Sequence, residues 1–184
     1  TGLLLRNVGE TQIAEAMQEE NGCLAFIDVD NLKKINDTIG HKAGDRLLTL
    51  VGSILAEYSQ NSITCRLGGD EFLLYMKGIT RDGATERVEN IIETFRKKKD
   101  EDIAVRQASL SAGLCMTTPL DVYADVYNKA DKALYHVKRN GKAGYSFYRK
   151  EDYIEQSHDN VDLLQVMEAL KNSGDYAGAM NVEY

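Results

Sequence analysis

The alternation of apolar and polar positions divides the chain into helical and extended segments. Glu10–Glu20 carries Ile13, Ala14, Ala16 and Met17 along one side of a helix, and Asn21-Gly22 supplies its stop. Cys23–Ile27 is a short continuous apolar run, as in a central strand covered on both faces, and it ends in Asp28-Val29-Asp30. A period of two puts those two carboxylates on one side of the strand. Asn31–Ile39 has Leu32, Ile35 and Ile39 at helical spacing. Gly40 to Asp45 reads as a connection into a long helix, from Asp45 to about Tyr58, with Leu47, Leu48, Val51, Ile54 and Leu55 as its apolar stripe.

Two strand-like runs follow, Ile63–Leu67 and Phe72–Met76, joined through Gly68-Gly69-Asp70-Glu71. Gly-Gly between such runs signals a two-residue hairpin, because the favoured turns need positive φ and glycine has no Cβ to oppose it. The turn therefore presents Asp70 and Glu71 at a hairpin tip. Thr80–Lys99 is a further helix with Val88, Ile91, Ile92 and Phe95 on one face. Its terminal Arg96-Lys97-Lys98-Lys99 complements the end of a helix dipole, the reading preferred over a nucleic-acid patch. Val105–Thr117 predicts a strand that exits at Pro119, Asp121–Arg139 a helix, and Tyr145–Tyr148 a last short strand. Within this order sits β-α-β-β-α-β, which predicts an α+β, ferredoxin-like core: a mixed antiparallel sheet with helices on one face. Residues 1–150 are expected to form this domain. Residues 151–184 read as a linker and a helix over Val161–Lys171, packing on the domain or leading into a further one.

Composition narrows the function classes. At 184 residues the chain suits one domain with a proper core. A net charge of −7 argues against binding a nucleic-acid polymer, which needs a basic face to displace counterions. It is compatible with a nucleotide whose charge is met locally by a metal and a few lysines. Cys23, Cys65 and Cys115 are odd in number and lie in apolar runs, so they read as reduced core residues and point to the cytoplasm. No apolar run approaches the roughly 20 residues that span a bilayer, so this segment is expected to make no membrane contact. Without an initiator methionine the chain is expected to be a fragment, whose remainder could carry a membrane anchor and a regulatory or sensory domain.

The predicted fold puts the end of the first core strand beside the hairpin, so Asp28, Asp30, Asp70 and Glu71 are expected to converge. Carboxylates at one point repel, and a hard divalent cation is the usual means of holding them together. Magnesium commonly shares its sphere with substrate phosphates, which favours a nucleoside-triphosphate site. Lys33, and Lys138 and Lys142 near the end of the last helix, are candidates to meet phosphate oxygens. Asp37 and Asp131 read as capping or ion-pairing residues, and Lys34, Lys42 and Lys132 as solvated ones. For the hairpin alone, two acids that merely solvate an exposed turn remain an alternative. Asp28-Val29-Asp30-Asn31 opens like a calcium loop, but Leu32 and Lys33 stand where a ligand and a glycine are needed. Neither GxxxxGK[ST] nor GxGxxG occurs.

Four segments together resemble the GGDEF domain, the diguanylate cyclase family, across most of residues 1–148. Thr1-Gly2-Leu3 with Arg6 resembles the tail of the family's DxLTGLxNR segment. Asp28 to Asp37, with Gly40-His41 and Gly44-Asp45, resembles DxDxFKxxND…GHxxGD. Gly68-Gly69-Asp70-Glu71-Phe72 is similar to the signature, and Ala130-Asp131-Lys132-Ala133-Leu134-Tyr135 with Lys138 to ADxALYxAK. The resemblance implies a nucleotidyl cyclase-like fold and condensation of two GTP into cyclic di-GMP (c-di-GMP) with release of two pyrophosphates. It implies a dimer of two copies, each holding one GTP, and magnesium, or manganese, as the cofactor. Asp28, Glu71 and the Val29 carbonyl would hold the metal, and Asp70 would add a contact or act as the base. Asn36 and Asp45 would read the guanine edge with His41 alongside, Lys33 would lie beside the phosphates, and Lys138 and Lys142 would hold the β- and γ-phosphates. A carboxylate suits the paired N1–H and amino donors of guanine, which adenine lacks.

Three departures stand out. Lys142 replaces the usual arginine, losing bidentate contact but keeping charge. Leu32 replaces an aromatic. The RxxD product-inhibition motif is absent, with Ser59-Gln60-Asn61-Ser62 in its place, which removes the expected site of product feedback. Two rivals to the cyclase reading are a weak or inactive GTP-binding regulatory module and a plain interaction domain.

Overall fold

Strand β2 (Gly22–Asp30) organises the molecule. All nine of its residues are buried, because strands pair with both of its edges and helices cover both of its faces. In the computed structural model, which describes residues 2–151, six strands form one sheet in the order β1-β3-β4-β2-β5-β6. The others are β1 (Leu4–Leu5), β3 (Ser62–Gly68), β4 (Glu71–Lys77), β5 (Ser109–Thr117) and β6 (Gly144–Phe147). β2 runs antiparallel to β4 and β5, β3 antiparallel to β4, and β1 and β6 lie parallel on the edges beside β3 and β5. The central four, β3-β4-β2-β5, are the strands of the expected ferredoxin-like core, so the α+β architecture is the one predicted. Contacts close a unit over Thr1–Tyr148. The helix expected over Val161–Lys171 lies outside the described residues.

The helices differ from expectation in their placement. Cys23, Ala25, Ile27 and Val29 face one way, against α3 (His41–Glu57) and α4 (Arg81–Lys99), through Val51, Val88, Ile91 and Phe95. Leu24 and Phe26 face the other way, against Ile13 and Met17 of α1 (Arg6–Glu19) and Val126, Ala130 and Leu134 of α5 (Tyr123–Arg139). The core's own crossover helices do share one face. The flanking α1 and α5 cover the opposite one, which is why β2 is apolar at odd and even positions alike.

Local chemistry explains the other shifts. α2 (Leu32–Ile39) and α3 meet at a single residue, Gly40, whose φ of 106° lets it end one helix and begin the next. The expected connection up to Asp45 is therefore already helix from His41. Ile39, placed on the apolar stripe by spacing, is 50% exposed at this joint. The expected Val105–Thr117 strand begins only at Ser109: Val105 closes a 3-10 turn over Ile103–Val105, held by Asp102 at Ala104 N–H, with Lys99 on the Arg106 and Ala108 carbonyls after it. The rest of the basic run at the end of α4 is also structural: Arg96 and Lys97 pair with Glu93, and Lys98 with Glu57. The cysteines are buried and free, with burial pushing the Cys23 thiol up to about 12 and those of Cys65 and Cys115 to about 11. Among the described residues no helix is long and apolar enough to cross a membrane.

Candidate active site

At the C-terminal end of β2 the chain opens a cavity of about 580 Å³, lined by Asp28, Val29, Asp30, Asp70, Lys33, Lys138 and Lys142, with Asn31 to Lys34, Asp37 and Thr38 along α2. β2 delivers Asp28 and Asp30 to the α5 side of the sheet, and α5 sets Lys138 over the first of them. Lys138 Nζ lies 2.5 Å from Asp28 Oδ1, an ion-pair distance whose direction leaves that oxygen without a well-aligned hydrogen bond. Burial pushes the Asp28 carboxyl above the ordinary carboxylate range. Lys138 opposes that rise, and the neighbouring Asp70 and Asp30 add to it.

The hairpin enters from the other side of β2. Gly69-Asp70 form its turn, Gly69 at φ 50°, and a bulge shifts the register between Arg66 and Gly68. Arg66 clamps the turn by donating from Nε and Nη2 to the Gly69 carbonyl at 3.2 and 2.6 Å. Val29 N–H donates to the Asp70 carbonyl at 3.0 Å, tying the turn to β2. Glu71 opens β4 opposite Asp28, and cross-strand partners share a face.

The expected residues divide into two groups. Asp28, Val29, Asp70, Lys33, Lys138 and Lys142 meet at the cavity, as does Asp30. Glu71 does not line it, and its charge is felt instead at Tyr127, where it adds to the rise that burial causes. Three of the four expected carboxylates, Asp28, Asp30 and Asp70, thus share the cavity, but among the described residues no three carboxylate, histidine or cysteine side chains gather closely enough to hold a metal. Like charges repel, and the Lys138 ammonium pairs with Asp28 where a metal ion is expected. Asn36, His41 and Asp45 also lie off the cavity, on α2 and α3. Asn36 Oδ1 is buried without a hydrogen-bond partner and rests against Gly44, where a Cβ would come within 2.0 Å of it. Asp45, the next residue, is exposed, as is His41.

Sequence reasoning missed the lining role of Lys34, Asp37 and Thr38, which the i, i+3, i+4 spacing of one helix face would have revealed. It also missed Arg66, whose only signal was an arginine next to a glycine turn.

Two features suit an anionic ligand with a divalent cation. Asp30 Oδ1 is a buried oxygen with no hydrogen-bond partner and Asp28 Oδ1 has only the Lys138 ammonium beside it; both are oxygens of the kind that ligate a hard cation. The first turn of α2 carries no side-chain cap, so its N–H groups and the positive end of its dipole are left at the cavity wall, beside Lys33 and Lys34.

The chain belongs to the GGDEF domain family: residues 1–144 match the model described as diguanylate cyclase, GGDEF domain. It is 36% identical over 123 residues to the diguanylate cyclase DosC of Escherichia coli, covering 64% of this chain and 26% of that protein. It is 31% identical over 143 residues to a diguanylate cyclase of Vibrio cholerae, covering 74% of this chain and 43% of the relative. The chain thus spans less than half the length of these relatives. Its fold superposes on the GGDEF domain of DgcB from Caulobacter crescentus, solved in complex with c-di-GMP, with a TM-score of 0.75, 25% identity and coverage of 82% of this chain and 91% of that one.

Proposed function

We propose that this domain is a magnesium-dependent diguanylate cyclase that condenses two GTP into c-di-GMP, one GTP on each of two copies, in the cytoplasm. The observation that supports it most is the cavity beside the Gly68–Phe72 hairpin, where acids, lysines and an uncapped helix N-terminus share one wall. The DgcB domain solved with c-di-GMP supports the same product.

In the proposed reaction, the 3′-hydroxyl oxygen of one GTP forms a bond to the α-phosphorus of the other. The bond from that phosphorus to the pyrophosphate oxygen breaks, and the hydroxyl proton is lost. The same exchange in the reverse sense closes the ring. Asp28, Glu71 and the Val29 carbonyl would hold the metal, with Asp70 as a further contact or as the acceptor of the proton. When bound, the metal would supply charge to polarise the α-phosphate and stabilise the departing pyrophosphate. Glu71 would take this role from β4, where its backbone pairs opposite Asp28. Lys138 and Lys142 meet the β- and γ-phosphates, with Lys33 and the α2 N-terminus alongside. Asn36, whose Oδ1 lacks a hydrogen-bond partner, and Asp45 would read the guanine edge, with His41 beside them. Alignment comes from the second copy, which converts two bound nucleotides into neighbours.

Incubation with GTP and Mg²⁺ should yield c-di-GMP, at a rate per molecule that rises with protein concentration until dimers form. Asp70→Ala should lower kcat by at least ~100-fold. GTP binding without product, even in a forcibly dimerised protein, would instead leave a nucleotide-binding regulatory module.

A further inference from the structure

A buried polar chain leads from β2 to the loop that carries Lys142. Asp30 is 2% exposed, and its Oδ2 accepts hydrogen bonds from the Ser109 and Ser111 hydroxyls, both at 2.7 Å. A hydroxyl has one proton to give. With that proton committed to Asp30, the fully buried Ser111 oxygen turns a lone pair outward, and it accepts the Ala143 N–H at 3.2 Å.

The loop it reaches needs such support. Gly141, Lys142 and Ala143 all have positive φ, at 108°, 65° and 56°, a region uphill for residues that carry a Cβ. Such a conformation persists where surrounding contacts over-determine it. Lys142 N–H is held by the Val137 carbonyl at 3.0 Å, and Ser111 holds the next amide. Gly144 then enters β6 opposite Ser111 itself. The same hydroxyl therefore marks where the loop ends and the strand begins.

We propose that Asp30 is a positioning residue. Through Ser111 it locks the Gly141–Ala143 loop, and so sets Lys142 at the phosphate wall of the cavity. The inference rests on reading that wall as a phosphate site, and it gives the second acid of the strand a task distinct from metal binding. A buried carboxylate is costly unless hydrogen-bonded, and here its bonds are spent on orienting two hydroxyls.

The test uses the whole 184-residue chain. In the absence of nucleotide and metal, Ser111→Ala should speed amide hydrogen exchange at Ala143 by at least ~10-fold. Asp30→Asn keeps an acceptor oxygen and should retain slow exchange, whereas Asp30→Ala should not. Should Ser111→Ala fail to fold, Ser111→Cys, with its weaker acceptor, makes the same comparison. In turnover, Ser111→Ala should act mainly on KM for GTP, raising it roughly 10-fold. Added to Lys142→Ala it should change KM by less than about twofold, because both changes remove the same contact. Unchanged exchange in Ser111→Ala, or independent multiplication of the two KM effects, overturns the proposal. Slow wild-type exchange at Ala143 without GTP turnover would sink the cyclase reading while leaving the loop lock standing.

Discussion

Asp28 is a carboxylate that β2 buries and Lys138 only partly compensates. Its pKa is raised above that of the unfolded chain, first by burial, so the native state holds the proton to higher pH. The stability linked to this group is therefore fully present below the ordinary carboxylate range and is lost as pH rises through the raised value. Asp28→Asn removes that dependence. In chelator, its thermal midpoint should exceed that of the wild type above the titration window and converge with it below, while cyclase activity is lost. Lys138 is about one-third exposed and reaches water when its partner goes. Melts across the acidic-to-neutral range check this, and a lower midpoint at neutral pH would show that the ion pair outweighs burial. Asp28 and Asp70 were legible in the sequence because a strand end and a glycine turn announce themselves locally. Asp30 was legible as an acid but not in its task, since its hydroxyl partners lie on β5, far along the chain.

At the scale of elements, the contact between α2 and α3 governs the expected guanine side of the site. Gly44 lets Asn36 approach, and a Cβ there would meet Asn36 Oδ1 at 2.0 Å and Leu32 Cδ1 at 3.1 Å. Gly44→Ala should cost about 1–3 kcal/mol by overpacking, and should raise KM for GTP as Asn36 is displaced. Denaturant melts and steady-state kinetics read the two effects separately. This joint is also where sequence patterning was weakest. Gly40 and Gly44 flank polar residues and imitate a loop, but burial of Ala43 and Leu47 carries α3 back to His41, tertiary packing overriding local propensity. β1 has two residues, too few to show any period. The continuous apolar run of β2 did declare cover on both faces, but no periodicity tells which helix supplies which cover. The hairpin was read correctly, although the residues of its turn are Gly69-Asp70, one step on, because the bulge after Arg66 shifts the pairing.

Across the whole molecule, the sheet order lays β2 between β4 and β5, so the site draws on segments far apart in the chain: the end of β2, the hairpin before β4, and the end of α5. Each brings one kind of group, acids from the strand and the turn, cations from the helix. Their meeting at Asp28 and Lys138 has a thermodynamic consequence. If Asp28 binds the metal as proposed, Lys138 becomes an exchangeable counterion, neutralising Asp28 until the metal relieves it. Once relieved, its ammonium is free for a triphosphate on the same wall. Metal and nucleotide should then promote each other's binding, and by reciprocity each must do so by the same factor. Calorimetric titration of Mg²⁺ and a non-hydrolysable GTP analogue, in both orders, should return equal enhancements. Lys138→Met should tighten Mg²⁺ binding on its own while shrinking that shared factor toward one. Under the proposed function, the same ion pair would couple the binding of metal and nucleotide.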